Sequence, residues 1–518
     1  MERFVQYWTQ GLARALAVLG CATLAMAVCS CGGSSGGVTP ASTASFEPGA
    51  CPTGVPPQLA NASCGVLTVP ENRSHPGGPQ VSLEVAIVPA LASSPAPDPI
   101  VFFDGGPGNN AIADSPLLID TGLNSDRNLI LMSARGTQFS EPSLGCPEVD
   151  QFYTALPGMV LDDPSTGQAF AAAGGACSSR LRAAGIDLPA FNSREAAADY
   201  EDLRRALHIP QWNVFGHSYG TYLALVYMRE HPQGVRSVVL DGVVPPPVAV
   251  PGFTWESAKN SLDSIFAACA AQPACAARYP NNAATFDSLV NQLEATPVST
   301  QVTLPNGGPT VNVVLDGGTL MNWLIAASHD APNIPLNLDE LAHNQPQAIA
   351  LAWAAANIKS QSQYGKFGYG FTYSVFCSEW VPYETVADQI QQAVDAFPTF
   401  PASVQEQPPQ FTFIRELCDA WNVPQAPASV RAVTKSSIPT LVMSGSFDAA
   451  TGPQLGTYAA QTLSNSTVVV LNGVAHGTFV NPCGASVEIS FWDNPAASDT
   501  SCVPSVQPRP FTIGPPLP

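Results

Sequence analysis

Charge is scarce in this chain, and positive charge most of all. Only 12% of its 518 residues are charged, with 20 basic against 40 acidic, a formal net charge of −20. Residues 1–30 carry Arg3, Arg14 and Glu2, so their removal leaves the imbalance in place. A surface so poor in cations excludes nucleic acid as a partner and excludes charge-driven binding to anionic lipid. It is compatible with cationic peptides, although a solvated acidic surface explains it as well. Ligand motifs are also missing. There is no Cys-x-x-Cys and no histidine spacing that completes a zinc site, so no metal is expected. There is no Gly-x-Gly-x-x-Gly, and no Gly-Lys-Ser/Thr follows the glycine loop at 105–108, which speaks against a phosphate cradle. Past residue 30 no apolar run reaches membrane length, and no internal repeat stands out.

What is present centres on Gly216-His217-Ser218-Tyr219-Gly220. Trp212–Phe215 before it is a short apolar run of strand character, and Thr221–Met228 after it reads as an apolar helix. A serine between glycines at a strand-to-helix turn is the nucleophile-elbow pattern. Small residues two before and two after let the backbone turn sharply and lift the hydroxyl out of the sheet. A structural turn is the alternative reading.

A nucleophilic serine needs a base, and there are seven histidines. His217 is committed to the turn, and His208 and His231 lie at the ends of predicted helices beside it. His75, His329 and His343 have no strand before them. His476 follows the β-branched run Thr467–Leu471 and sits in Gly473-Val474-Ala475-His476-Gly477. That is where a base reaches a serine at the top of a parallel sheet. The acid that orients it is expected at Asp448, just past the predicted strand Ile438–Gly445. Capping of a helix starting near Gly452 is the alternative role for Asp448. The chain order Ser218, Asp448, His476 is that of α/β-hydrolases. The predicted strand Pro99–Phe103 leads into Asp104-Gly105-Gly106-Pro107-Gly108. The N–H groups of Gly106 and of Tyr219 are the expected oxyanion donors, because Pro107 has no N–H to give.

Gly105-Gly106-Pro107-Gly108 resembles the glycine loop of proline iminopeptidase-like hydrolases, with Asp104 in place of their usual histidine. Ser133-Ala134-Arg135-Gly136-Thr137-Gln138-Phe139-Ser140 is similar to their D-x-R-G-x-G-x-S segment, departing at Ser133 and Gln138. Tyr200–Leu203 through Gly220 resembles the secreted tripeptidyl-aminopeptidase branch. So do Asp448-Ala449-Ala450-Thr451 with Pro453, and the tail from Gly473 to Cys502. The resemblance runs from about Cys51 onward and is weakest between 247 and 430. It implies an α/β-hydrolase fold, a mostly parallel sheet with helices on both faces, acting as a serine exopeptidase or related esterase without metal or cofactor. That branch tends to carry an acidic residue near a cap cysteine. Glu379, beside Cys377 and Trp380, is therefore the candidate to pair with a substrate's ammonium, a solvated surface glutamate being the other reading.

Residues 1–30 read as a secretory signal, with Arg3 and Arg14 ahead of the apolar Ala15–Val28 stretch. Val28-Cys29-Ser30-Cys31 resembles a bacterial lipobox, with Cys31 as the lipidated residue. A simply cleaved signal and an uncleaved anchor are the alternatives. Residues 31–50 form a Gly/Ser/Thr/Pro linker. Setting aside Cys21, Cys29 and Cys31, ten cysteines remain, an even number that suggests disulfides in an exported protein. They fall as neighbours: Cys51 and Cys64, Cys146 and Cys177, Cys269 and Cys275, Cys377 and Cys418, Cys483 and Cys502. Five sequence-adjacent bridges are expected, though sequence leaves the connectivity open.

Strands alternate with helical segments over 51–246, and the rhythm resumes over 431–518, so these two parts form the hydrolase core. Between them, 247–430 is Ala/Gln/Pro-rich and helix-leaning, the place where such hydrolases carry a cap. The expectation is an exported serine hydrolase, a cell-envelope lipoprotein or secreted. It would cleave short peptides near their N-termini; a carboxylesterase or lipase on the same fold is the alternative. A non-catalytic surface binding lipoprotein is a third. The oligomeric state is not legible.

Overall fold

The strands that form the sheet centre are the runs with no polar face. Ile100–Phe103 (β4), Leu129–Met132 (β5) and Thr440–Gly445 (β11) are buried at every position. Continuous burial of this kind requires cover on both faces of the sheet. A computed structural model describes residues 44–517 except 76, and supplies that cover. Successive residues of β4 and β5 face opposite ways. Val101, Phe103, Ile130 and Met132 join one apolar layer, and Ile100, Phe102, Leu129 and Leu131 the other.

The remaining strands of the main sheet are Ser45–Gly49 (β1), Ser63–Pro70 (β2), Gln80–Val88 (β3), Ser140–Glu141 (β6), Trp212–His217 (β7), Val235–Asp241 (β8) and Ser466–Leu471 (β12). Their order is β1-β2-β3-β5-β4-β7-β8-β11-β12, with β6 pairing β3 off this path. Pairs from β5 to β12 are parallel, while β1, β2 and β3 run antiparallel at one edge. β7 is central, and the carboxyl ends of β4, β7, β8, β11 and β12 open on the same side.

Two segments depart from the sequence expectation. The linker expected over 31–50 gives way at Ser45–Gly49, which adds β1 to the edge of β2. Only Phe46 in that stretch is apolar, so hydrophobic periodicity could not reveal the strand; main-chain pairing forms it. Within 247–430, long helices such as Val250–Ala271 and Asn282–Ala295 dominate, but Val298–Thr303 (β9) and Thr310–Leu315 (β10) form an antiparallel hairpin. Asn306-Gly307, both with positive φ, supplies its turn.

The proline-rich end is extended and ties the two parts together. Pro508 packs on Gly473 of the core. Thr512 N–H donates to Pro332 O and Gly514 N–H to the Tyr279 hydroxyl in the inserted segment. All five neighbouring cysteine pairs are bridged. Among the described residues no helix is long and apolar enough to cross a membrane. The signal segment and Cys31 lie outside the described residues.

Candidate active site

Ser218 sits where β7 ends and the helix Tyr219–Glu230 begins, at φ 56° and ψ −125°. A non-glycine residue there is strained, and strain of this kind persists only where the surroundings enforce it. The enforcement is visible. Ser218 N–H donates to Asp241 O at 2.9 Å, and the Thr221 N–H and hydroxyl both donate to Ser218 O. Gly216 and Gly220 allow the close crossing. A Cβ on Gly216 would lie 2.5 Å from Gly220 O, and one on Gly220 only 1.8 Å from Phe103 O.

Asp448 follows β11 and is buried. Its Oδ1 accepts from the Ala450 and Thr451 N–H groups at 2.9 and 2.8 Å. Its Oδ2 accepts from the Thr451 hydroxyl and from His476 Nδ1, both at 2.8 Å. Burial alone would raise its pKa, but the facing His476 and these donors overcome that and hold the carboxyl well below its usual range. The converse holds for His476. Burial disfavours its cation, yet the Asp448 charge and hydrogen bond raise its pKa above 6.5. With Nδ1–H given to Asp448, Nε2 is the nitrogen that can take a proton. Ser218, Asp448 and His476 thus share one end of the sheet. The Asp448–His476 bond is closed, whereas no hydrogen bond joins Ser218 Oγ to His476 among the described residues. Such bonds are often long before substrate binds.

The glycine loop leaves the end of β4 and packs on the serine. A Cβ on Gly105 would lie 3.0 Å from Ser218 Cβ. Gly105 N–H is taken by Asp104 Oδ1 at 2.7 Å. Gly106, at φ 105° and exposed, has its N–H bonded to no acceptor among the described residues. Tyr219 is the first residue of its helix, so its N–H has no intrahelical acceptor. These two donors are the ones expected for the oxyanion.

Sequence reasoning missed the partner of Asp104. Burial, and then the charge of Asp114, raise Asp104 well above the usual carboxylate range, and Asp114 itself is pushed up to about 6 by burial. No spacing signal links Asp104 to Asp114. It also missed Thr451, which bonds Asp448 and lies 3.0 Å from His476 Nδ1, although the D-x-x-T pattern contained it. Arg135 of the Ser133–Ser140 segment is buried away from the site. It clamps Asp199 with two 2.7 Å bonds and donates to the Glu71 and Ala190 carbonyls.

Glu379 is not a surface residue. It lies fully buried in a π-helical turn, Phe376–Trp380. Its Oε1 accepts Ser193 N–H at 2.8 Å, and its Oε2 faces the Tyr222 hydroxyl without a hydrogen bond closing between them. Ser193 Oγ in turn meets the Tyr219 hydroxyl at 2.8 Å. Two cavities of about 620 and 270 Å³ open elsewhere, and neither is lined by Ser218, Asp448, His476 or Glu379.

A strained serine on an elbow, beside a glycine loop and an Asp–His pair, defines a class. The chain belongs to the alpha/beta hydrolase fold family, whose model matches residues 98–481, and is an enzyme of the hydrolase class. Among curated relatives, the chain is similar to YuaR of Escherichia coli K12, 28% identical over 46% of this chain. It spans 48% of that relative, about half its length. It is similar to the serine protease Hip1 of Mycobacterium bovis, 24% identical over 80% of this chain and 81% of that one. It is similar to the tripeptidyl aminopeptidase of Streptomyces coelicolor, 29% identical over 35% of each chain.

Proposed function

We propose that the protein is an exported serine peptidase that releases residues or short peptides from peptide N-termini through an acyl-enzyme. The observation that carries this is the strained Ser218, held beside Gly105 of the glycine loop at the end of the sheet where Asp448 grips His476. Ser218 Oγ bonds to the substrate carbonyl carbon while its proton passes to His476 Nε2. The carbonyl oxygen becomes an oxyanion that accepts from the Gly106 and Tyr219 N–H groups. The C–N bond then breaks, and the departing amine takes the proton from His476. Water repeats the sequence against the ester and frees Ser218. Asp448 holds Nδ1 and stabilises the imidazolium throughout. No step requires a metal or cofactor.

Residues 247–430 act in this reading as a cap that restricts access to a chain end. Glu379 is the candidate for the substrate ammonium, through the Oε2 that no hydrogen bond satisfies. Because Glu379 is sealed, that contact requires the turn 376–380 to open. The five disulfides support an oxidising compartment. The names of two relatives, serine protease and tripeptidyl aminopeptidase, support the reading of an amide rather than an ester substrate.

The test is turnover of free-amine and N-blocked peptide anilides and of short p-nitrophenyl esters, by wild type and Ser218→Ala. Serine-dependent cleavage confined to free-amine peptides is expected. Cleavage of esters alone would replace the peptidase reading with a carboxylesterase.

A further inference from the structure

The glycine loop that presents the Gly106 N–H has little to stiffen it from within. Without a Cβ, Gly105, Gly106 and Gly108 take either sign of φ about equally well, and the loop holds Gly106 at φ 105° and Gly108 at φ 110°. Among the described residues, 106–108 make no hydrogen bond to the core part of the chain. Their two bonded groups both meet the inserted segment. The Thr372 hydroxyl donates to Pro107 O at 2.6 Å, and the Gly368 N–H donates to Gly108 O at 3.0 Å. Thr372 stands in the helix Tyr369–Val375, one turn past Gly368, whose carbonyl oxygen its hydroxyl also reaches at 3.1 Å. Phe367 closes the contact: a Cβ on Gly108 would lie 2.9 Å from its Cε1 and Cζ.

These contacts bear directly on the oxyanion donor. The Pro107 ring fixes its φ, and the peptide bond before it is planar. The Pro107 carbonyl carbon, whose oxygen Thr372 holds, therefore moves as one piece with the Gly106 carbonyl. Only the two dihedrals of Gly106 separate that piece from the Gly106 N–H. The loop also folds back on itself: a Cβ on Gly106 would lie 2.7 Å from Gly108 N and 3.0 Å from Asn109 N. Holding 107 and 108 thus holds 106.

We propose that Thr372 is a positioning residue for the oxyanion site: its hydroxyl, with the Gly368 N–H, clamps the glycine loop to the inserted segment and aims the Gly106 N–H at the oxygen of a group bound to Ser218. This rests on the serine-hydrolase reading of the site. It gives the inserted segment a part in the chemistry beyond restricting access. The helix Tyr369–Val375 continues into the turn Phe376–Trp380 that carries Glu379, so the clamp and the candidate for the substrate ammonium share one continuous helical segment.

The test is the rate at which a fluorophosphonate labels Ser218 in the full-length protein. Ser218 Oγ bonds to phosphorus, its proton passes to His476 and fluoride leaves, while the phosphoryl oxygen takes the oxyanion position. No choice between peptide and ester enters. Thr372→Ala and Thr372→Ser both lose the methyl group and differ only in the hydroxyl. Thr372→Ala should slow labelling by about 10-fold or more, short of the roughly 10²–10³-fold that loss of an oxyanion donor costs. Thr372→Ser should recover most of the rate. On whichever anilide or ester the wild type turns over, kcat should fall in Thr372→Ala by a similar factor with KM little changed. Thr372→Val keeps the volume without the donor and should repeat the loss, standing in should Thr372→Ala not fold. Equal labelling rates in wild type and Thr372→Ala, a loss that Thr372→Ser shares, or a raised KM at unchanged kcat would overturn the proposal. Failure of the serine-hydrolase reading is separable, because it would show as no labelling of Ser218 in folded wild-type protein.

Discussion

A single methyl group on Gly220 should damage both the fold and the chemistry. The Cβ of Gly220→Ala would sit 1.8 Å from Phe103 O, 2.6 Å from Phe103 C and 3.0 Å from Asp104 O. An ordinary C···O contact is about 3.3 Å, so the gap must widen by about 1.5 Å. Neither neighbour is a flexible side chain. One is the start of the elbow helix and the other is the end of β4, which pairs with β7 and leads directly into Gly105 and Gly106. The displacement therefore falls on the spacing between Ser218 and the Gly106 N–H. Overpacking of this type costs about 1–3 kcal/mol. A shift of about 1 Å in a reacting group costs roughly 10²-fold in rate. Gly175→Ala is the control: it lies in the helix Pro164–Ala183, and its Cβ would meet only Ala420 Cβ at 3.5 Å. It should be neutral or stabilise by about 0.5–1 kcal/mol. Thermal melts and kcat/KM on the same preparations decide the matter. Gly220→Ala with wild-type Tm and wild-type kcat/KM would refute the packing argument.

Asp448→Asn should lower kcat by about 10⁴-fold. It should also shift the acid limb of kcat/KM to lower pH, because the group that raises His476 is gone and burial, which lowers it, remains. A pH–rate series checks this, and an unmoved limb would contradict it. The same pair makes a stability term with two edges. The His476 share is full below about pH 6.5 and is lost as pH rises through its raised pKa, while the Asp448 share is lost as pH falls through its depressed pKa. Removing the Cys377–Cys418 bridge, which spans 41 residues, should cost about 3–4 kcal/mol, seen as a lower denaturation midpoint. Glu379→Gln should lower kcat/KM on free-amine peptide anilides; a variant that keeps full kcat/KM would remove Glu379 from substrate recognition.

The central part of this molecule was legible because its signals are local. β4, β7 and β11 are apolar runs, and each reads as a strand with a candidate residue, Gly106, Ser218 or Asp448, just past its carboxyl end. The strands expected at Pro99–Phe103 and Ile438–Gly445 are observed at Ile100–Phe103 and Thr440–Gly445. What escaped reading depends on contacts distant in sequence. β1 exists because β2 offers it main-chain partners. The pairing of Asp104 with Asp114 arises from how the glycine loop packs on the segment that follows it, and no spacing rule reports it. Glu379 shows the limit most clearly. Its sequence neighbourhood suggested either a recognition residue or a solvated one, and burial in a π-helical turn against Ser193 follows from neither.

The central claim is that Ser218 is the nucleophile, and a fluorophosphonate probe tests it directly. The account predicts one probe bound per chain, mapped to Ser218 by peptide mass, and no labelling of Ser218→Ala. Absence of labelling in folded wild-type protein, or a label mapped to another residue, would contradict it.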